Sequence, residues 1–281
     1  MTTPHRLALW TAIALLGCGA DPASPGPVAT AAAPVDAVLR GFAPTGSFLL
    51  EVEGKEVPKA KIYQSEVAGA ILVLSSALPA PVLVSPRAQS VETVDLMKVA
   101  HQGDGTIDLL ADATLEPQGR FLVEGENVTF TVEGRRVRLK SKPPLLRAQT
   151  AASLKEHSPE YVFTGRAYTP DAQAVAALKA QTQPVRVQVF FGSWCSYCKR
   201  YLPRLLRVEE QLAGSPVRIE YYGLPSGPAM AQDPEAKKAG VHGVPIALVF
   251  LGSREIGRIE NEAWSAPEKA IRDLVAKNSA S

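Results

Sequence analysis

The segment from Phe190 to Arg200 reads Phe-Phe-Gly-Ser-Trp-Cys-Ser-Tyr-Cys-Lys-Arg. An apolar strand pattern runs directly into Trp-Cys-x-x-Cys, and a helical pattern follows it. This order places both thiols on the first turn of a helix, where unpaired N–H groups and the helix dipole favour a negatively charged sulfur. Because the thiolate is the nucleophile of disulfide exchange, the segment predicts redox chemistry.

The size and charge of the chain bound the remaining possibilities. Its 281 residues leave room for about two domains of ordinary size. Hydrophobic residues make up 46% of the chain, so a sizeable core is expected. The formal net charge is +2 and the basic residues are scattered, so no nucleic-acid partner is predicted.

The first 17 residues have the pattern of a signal peptide. Arg6 precedes a short apolar run, Leu7–Leu16, which is shorter than the roughly 20 residues that span a bilayer. The following Leu15-Leu16-Gly17-Cys18 resembles the lipobox of bacterial lipoproteins, which implies cleavage before Cys18 and its lipidation. The alternative is an ordinary secretory signal with an incidental cysteine.

The expected location is a bacterial membrane, with the protein facing the periplasm. Residues 18–40 are rich in Ala and Pro and predict a disordered tether. Gly19 follows the predicted lipidated cysteine, and Asp21 lies two places further on, which favours the outer over the inner membrane.

The cysteine count supports an exchange role for the remaining pair. The chain has three cysteines, so a lipidated Cys18 leaves Cys195 and Cys198. A disulfide between residues so close in sequence closes too small a loop to stabilise the fold much. An exported chain with no other cysteines is therefore expected to keep the pair for chemistry.

Residues 41–142 read as a β-rich domain of unknown role. Alternating apolar residues from Val128 to Val132 and from Val137 to Leu139 flank Glu133-Gly134-Arg135, which predicts a hairpin. We expect a small antiparallel sandwich or barrel. His101 stands beside a Gly-Asp-Gly loop and is interpreted as a loop histidine with no metal role.

Residues 143–168 are expected to form a linker. Pro143-Pro144 ends the last strand, a connecting helix is predicted over Leu145–His157, and Ser158-Pro159 stops it.

Residues 169–281 alternate between strand and helix patterns, which predicts an open α/β sheet with helices on both faces. The first helix is expected to begin at Thr169-Pro170-Asp171, with a cap and a first-turn proline. The later predicted elements are the strand Val185–Phe191, the helix Cys195–Leu212, the strands Val217–Tyr222, Ile246–Leu251 and Ile256–Glu260, and the helix Trp264–Ala276.

Several residues downstream of Trp194 and the cysteine pair carry a family resemblance. Pro203 lies five residues after Cys198, Gly243-Val244-Pro245 precedes an apolar strand, and Gly257 lies in the next one. With Trp-Cys-x-x-Cys, this pattern resembles the thioredoxin-like thiol–disulfide oxidoreductases over roughly residues 169–277. The resemblance implies a thioredoxin-like C-terminal domain of the α/β class.

The resemblance also implies roles for the site residues. Cys195 would be the exposed attacking thiolate, and the more buried Cys198 would resolve the mixed disulfide. Pro245, in a cis peptide after Val244, would sit against the sulfurs and present backbone to an extended substrate. Trp194 would screen one flank of the site.

Residues between and around the cysteines would tune the site. Ser196 and Tyr197 lie between the cysteines, where the family varies its redox potential. His242 could favour a Cys195 thiolate, and Lys199 could lend positive potential, but an exposed loop histidine and a solvated lysine are the favoured interpretations. Val189 occupies the position where reductive relatives carry a buried acid.

The predicted function is a lipid-anchored thiol–disulfide oxidoreductase, without a cofactor or metal, that exchanges disulfides with client proteins. The reducing direction is favoured, with a membrane or soluble thiol as the reductant. Alternatives are a disulfide isomerase with a β-rich dimerisation domain, a copper carrier using the two thiols and His242, and a non-enzymatic binding lipoprotein.

Overall fold

The structure is a computed structural model that describes residues 39–279. The predicted signal peptide, Cys18 and nearly all of the predicted tether lie outside these residues. No helix within residues 39–279 has both the length and the hydropathy needed to cross a membrane.

The N-terminal region contains two large antiparallel sheets and one small one. Its strands are β1 Ala43–Pro44, β2 Phe48–Val52, β3 Lys55–Glu56, β4 Lys61–Ser65, β5 Ala70–Leu74, β6 Val82–Ser85, β7 Ser90–Val94, β8 Val99–His101, β9 Ile107–Leu109, β10 Leu115–Gly119, β11 Leu122–Glu124, β12 Asn127–Val132 and β13 Arg135–Ser141. The first large sheet has the strand order β1-β4-β5-β6-β7-β10, and the second has the order β11-β12-β13-β2-β3. The remaining two strands, β8 and β9, pair with each other.

The two large sheets share one apolar core. Ile71 and Val84 from the six-stranded sheet belong to the same buried cluster as Leu50, Phe130 and Leu139 from the five-stranded sheet. The predicted hairpin between β12 and β13 is present, with Val132 opposite Arg135. Its two turn residues both have positive φ, which matches the twist of the flanking strands.

The segment after β13 differs from the predicted helix over Leu145–His157. Its first part is a strand, β14 (Arg147–Gln149), and the helix α1 spans only Ala151–His157. Thr150 caps α1 by accepting a hydrogen bond from the Ser153 backbone N–H. The prediction failed because this segment is held extended by pairing with a strand more than 70 residues away, Val217–Gly223, which leaves no local sequence signal. Pro159 ends α1 and is also the first residue of α2 (Pro159–Gly165).

The C-terminal sheet has the strand order β14-β16-β15-β17-β18. Helices lie before, between and after its strands. The bounds are α3 Ala172–Lys179, β15 Val185–Phe191, α4 Ser196–Gln211, β16 Val217–Gly223, α5 Pro228–Gln232, α6 Pro234–Lys238, β17 Ile246–Leu251, β18 Arg254–Ile259 and α7 Pro267–Ser279.

Two helix starts differ from their predictions. Asp171, rather than Thr169, caps α3, because its carboxylate accepts a hydrogen bond from the Ala174 N–H at 2.8 Å. The predicted helix from Trp264 is split: Asn261–Ser265 forms a 3₁₀ turn, and α7 begins at Pro267. A proline suits the first turn of a helix, where no intrahelical partner for its missing N–H is needed.

The prediction of an α/β class with a thioredoxin-like C-terminal domain is wrong. Residues 39–279 are β-rich, with 35% strand and 29% helix, and their four sheets are mostly antiparallel. Among residues 39–279, β15 and β16 are the one parallel pair. No clear thioredoxin-like α/β domain is shown. Alternating hydrophobicity locates a strand but does not fix the direction of its neighbours, so the sequence pattern did not determine the pairing.

Candidate active site at the start of helix α4

The chain leaves β15 through a tight turn that places Trp194 beside the cysteines. A Cβ at Gly192 would lie 2.5 Å from the Trp194 ring, so the residue must be glycine for the indole to pack there. The indole Nε1–H donates to the Leu224 carbonyl at 2.9 Å. The Ser193 hydroxyl accepts the Leu145 N–H at 3.0 Å, which ties the segment before β14 to this turn.

Helix α4 begins directly under the Cys195 sulfur. Cys195 is the N-cap residue, and its Sγ accepts the Cys198 N–H at 3.5 Å. The Cys195 thiol also donates to the Val244 carbonyl at 3.5 Å. The Cys198 Sγ accepts the Gly192 N–H at 3.4 Å. Both cysteines are free thiols, and each is held by backbone groups.

The two thiols have opposite acidities. The hydrogen bond from the Cys198 thiol, together with backbone N–H groups of the helix start, lowers the pKa of Cys195 from 9.0 to about 7. Burial raises the pKa of Cys198 well above its ordinary value, and the hydrogen bond and charge of Cys195 raise it further. At neutral pH, the negative charge of the pair therefore resides on Cys195.

Access to the pair is narrower than predicted. The expectation of an exposed Cys195 is wrong in degree, because only 7% of the residue is accessible, against 0% for Cys198. The Val244 loop and the Trp194 turn cover its sides, which the sequence pattern could not indicate. Next to it, Ser196 is exposed and Tyr197 is 62% exposed, so these two side chains form the accessible rim.

The loop before β17 faces the Cys195 sulfur. The peptide between Val244 and Pro245 is cis, and the Val244 carbonyl is the group that contacts Cys195. The Trp264 indole donates to the Pro245 carbonyl at 3.1 Å and fixes the loop from behind. His242 is exposed on the same loop. Pro203 lies buried inside α4, five residues after Cys198.

Two residues near the pair were missed or misjudged from sequence. Lys199, expected to be solvated, is instead tied to Ser47 and Glu160 through its amine. Tyr161 is buried against the same core cluster as both cysteines, and its hydroxyl has no hydrogen-bond partner within the described residues. Burial raises the pKa of Tyr161 well above its ordinary value, and nearby thiolate charge adds to the effect. These contacts join distant parts of the chain, so no local motif marks them.

Metal binding has no preformed centre in the described part of the chain. Residues 39–279 contain no group of three or more Cys, His, Asp and Glu side chains arranged to hold an ion.

Comparisons with known proteins leave the activity open. No family model and no curated protein match the chain. A crystal structure of an HIV epitope scaffold is 10% identical, with a TM-score of 0.37 over 46% of this chain and 93% of that one. A protein of unknown function from Pseudomonas aeruginosa is 14% identical, with a TM-score of 0.33 over 47% of this chain and 86% of that one. Neither likeness bears on the function.

Proposed function

We propose that this protein is a thiol–disulfide oxidoreductase that exchanges disulfides with client proteins through Cys195 and Cys198. The observation that supports it most is the asymmetry of the pair at the start of α4. The pKa of Cys195 is lowered to about 7, whereas burial holds the pKa of Cys198 well above its ordinary value. A pair with one ionised and one protected thiol suits attack followed by resolution.

In the first step, the Cys195 thiolate attacks one sulfur of a client disulfide. A bond forms between Cys195 and that sulfur, and the client S–S bond breaks. The second client sulfur leaves with the electron pair as a thiolate, which takes up a proton from solvent. The thiolate that starts this step is stabilised by the hydrogen bond from the Cys198 thiol and by the N–H groups at the helix start.

In the second step, Cys198 loses its proton and attacks the Cys195 sulfur. A Cys195–Cys198 bond forms, the mixed disulfide breaks, and the electron pair and a proton go to the departing client sulfur. The client has gained two electrons and two protons, and the pair has become a disulfide. Once Cys195 is in a mixed disulfide, its charge no longer raises the pKa of Cys198, so resolution becomes easier only after capture.

The reducing direction requires a thiol reductant that returns the pair to two thiols. We propose a membrane-bound or soluble dithiol in this role. Equilibration of the purified protein with glutathione measures the direction: a potential near that of the strongest periplasmic oxidants, about −120 mV, would contradict it.

A trapping experiment tests the exchange itself. In Cys198→Ser the resolving thiol is missing, so mixed disulfides through Cys195 should accumulate in cells and disappear on treatment with a reductant. The matched control is Cys195→Ser with Cys198→Ser, which should trap nothing. Equal trapping by the single and double variants, or none by either, would rule out exchange at Cys195.

We propose that the protein is anchored by lipid to a bacterial membrane and faces the periplasm, with the outer membrane favoured over the inner one. The support is the sequence around Cys18, which resembles a lipobox. Labelling cells with a radioactive fatty acid should mark the wild-type protein and leave Cys18→Ser unmarked. An unlabelled wild-type protein in the soluble fraction would contradict the anchor.

A further inference from the structure

The N-terminal region meets the start of α4 at a polar junction. The loop between β1 and β2 is central to it, since the Gly46 N–H donates to Glu160 Oε2 of α2 at 2.7 Å. A Cβ at Gly46 would collide with the His157 carbonyl, so the loop is pressed against the end of α1. On the other side, the Lys142 N–H donates to the Ser47 carbonyl at 2.9 Å. The loop is therefore fixed to both neighbouring segments.

Lys199 reaches from α4 into this junction. Its amine donates to Ser47 Oγ at 2.9 Å and forms an ion pair with Glu160 Oε1 at 3.3 Å. The two charged side chains are only 23% and 13% exposed. The Ser47 hydroxyl is itself oriented by Thr45, whose Oγ1 donates to it at 3.1 Å. The backbone of Lys199 is fixed in α4 and its amine is held by Ser47 and Glu160, so the position of its charge is well defined.

The position of Lys199 on the helix connects that charge to Cys195. The Lys199 N–H donates to the Cys195 carbonyl at 3.0 Å in the first turn of α4. Its ammonium is one of the groups that lower the pKa of Cys195, after the hydrogen bond from the Cys198 thiol and those from backbone N–H groups. A cation near a thiol favours the thiolate, and burial weakens the screening of that attraction.

We propose that the N-terminal β-rich region acts as a positioning element for the active site, by holding the Lys199 ammonium where it stabilises the Cys195 thiolate. This inference rests on the proposed exchange function. Ser47 supplies the anchor, and Glu160 has two opposed effects: it holds the amine and partly neutralises it. Lys199 and Ser47 are thus positioning residues that act through Cys195.

Other charged groups at the junction do not replace Lys199. His157 has its ring nitrogens 2.9 Å from Ser158 Oγ and 2.8 Å from the Pro143 carbonyl. Burial lowers the pKa of His157, so the ring is neutral at pH 7. The Lys142 amine donates to the His157 carbonyl at 2.7 Å, and burial lowers its pKa as well. Glu156 adds a carboxylate near Lys142.

The test is the pH dependence of Cys195 alkylation by iodoacetamide, followed by mass spectrometry in the full chain with Cys198 intact. Lys199→Met should slow alkylation at pH 6 by about threefold, and Lys199→Arg should restore most of the rate. Glu160→Gln should speed it, because the hydrogen bond to Ser47 still holds the ammonium while the neutralising charge is gone. Ser47→Ala should slow it by about twofold, because the ammonium is less well held.

Arg200→Met is the matched control. Arg200 is the next residue of α4, it is exposed, and its loss removes the same charge. Its rate should stay at the wild-type value. Urea unfolding of every variant checks that the fold is retained. The alkylation rate of Cys195 should fall in Lys199→Met and rise in Glu160→Gln. A general loss of structure at the site would change both rates in the same direction.

Two outcomes separate this inference from the proposed function. The positioning role is wrong if Lys199→Met is alkylated at the same rate as Arg200→Met, or if its rate shifts in the same direction as that of Glu160→Gln. If Cys198→Ser nevertheless traps clients, the exchange function stands. If wild-type Cys195 is alkylated no faster than a free cysteine and Cys198→Ser traps no client, both are wrong.

Discussion

The sheets of the N-terminal and C-terminal regions are both mostly antiparallel, yet the two regions bury different chemistry. Between the two N-terminal sheets, the interior consists of apolar side chains such as Leu50, Ile71 and Leu139. In the C-terminal region, the buried set also includes two thiols, the Tyr161 hydroxyl and the Glu268 carboxylate. Strand pattern alone therefore does not distinguish a structural core from a reactive one.

The difference follows from where backbone groups are left unpaired. Inside a sheet every N–H has a partner strand, so a buried polar side chain has little to bind. At a helix start, free N–H groups can hold a sulfur or a carboxylate. Glu268 accepts hydrogen bonds from the Tyr168 hydroxyl at 2.7 Å and from the N–H of Asp171, the residue that caps α3, at 3.1 Å. These donors replace the water that the carboxyl group loses on burial.

The strongest contrast is expected from removal of the nucleophile. Cys195→Ser should reduce the rate of reduction of a small aromatic disulfide to the background rate, because a serine hydroxyl does not ionise near neutral pH. Stopped-flow absorbance measures the rate. Cys198→Ser should keep a single-turnover burst. A burst of wild-type size in Cys195→Ser would show that the reactive thiol is not Cys195.

The next effect is on the pH profile of the reactive thiol. Alkylation of wild-type Cys195 should rise with pH and reach half its maximum at about pH 7. Because the pKa is lowered, the thiolate is lost as the pH falls below this value. Cys198→Ala removes the leading cause of the lowering, so alkylation at pH 7 should slow roughly fivefold. An unchanged profile in Cys198→Ala would assign the lowering to the helix start instead.

A substitution in the N-terminal core should separate stability from chemistry. Leu72 is fully buried, and Leu72→Ala should lower the free energy of unfolding by about 2–5 kcal/mol, measured in urea. The alkylation profile of Cys195 should not move, because Leu72 lies in a second buried apolar cluster, with Phe42 and Ile107, rather than at the junction. Val67→Ala, at a residue that is 79% exposed, is the control and should cost less than about 0.5 kcal/mol.

The smallest effect is expected at the helix that links the two regions. Thr150→Ala removes the side-chain hydrogen bond to the Ser153 N–H at 3.1 Å, which caps α1. The free energy of unfolding should fall by about 1 kcal/mol. Thr150→Ser keeps the hydroxyl and should retain most of the stability. A loss of several kcal/mol would indicate that α1 supports the contact between the regions more than its cap does.

Local features of this fold were predictable, and its long-range ones were not. The strand Val185–Phe191 was located from alternating hydrophobic residues that the sheet buries on one face. The helix start at the cysteines followed from the motif and its spacing. The sheet directions, the short helix α1 and the coverage of Cys195 depend on segments distant in sequence, for which a local pattern carries no information.

The junction around Lys199 shows the same limit. Glu160 and Ser47 are separated from it by 39 and 152 residues along the chain, respectively. A lysine after a helix N-terminus is usually solvated, and nothing near it in sequence indicates a partner. The partners of its amine are brought to it by the packing of the β1–β2 loop against α1 and α2.

The complete enclosure of Cys198 sets the timing of the proposed reaction. Because solvent does not reach the Cys198 sulfur, outside thiols and disulfides do not engage it directly, and in the proposed reaction its target is the Cys195 sulfur beside it. The lifetime of the proposed mixed disulfide would then depend on how readily the buried Cys198 thiol loses its proton. A change in the packing around residue 198 would therefore alter both the release of the client and, through the hydrogen bond from Cys198, the acidity of the attacking thiol.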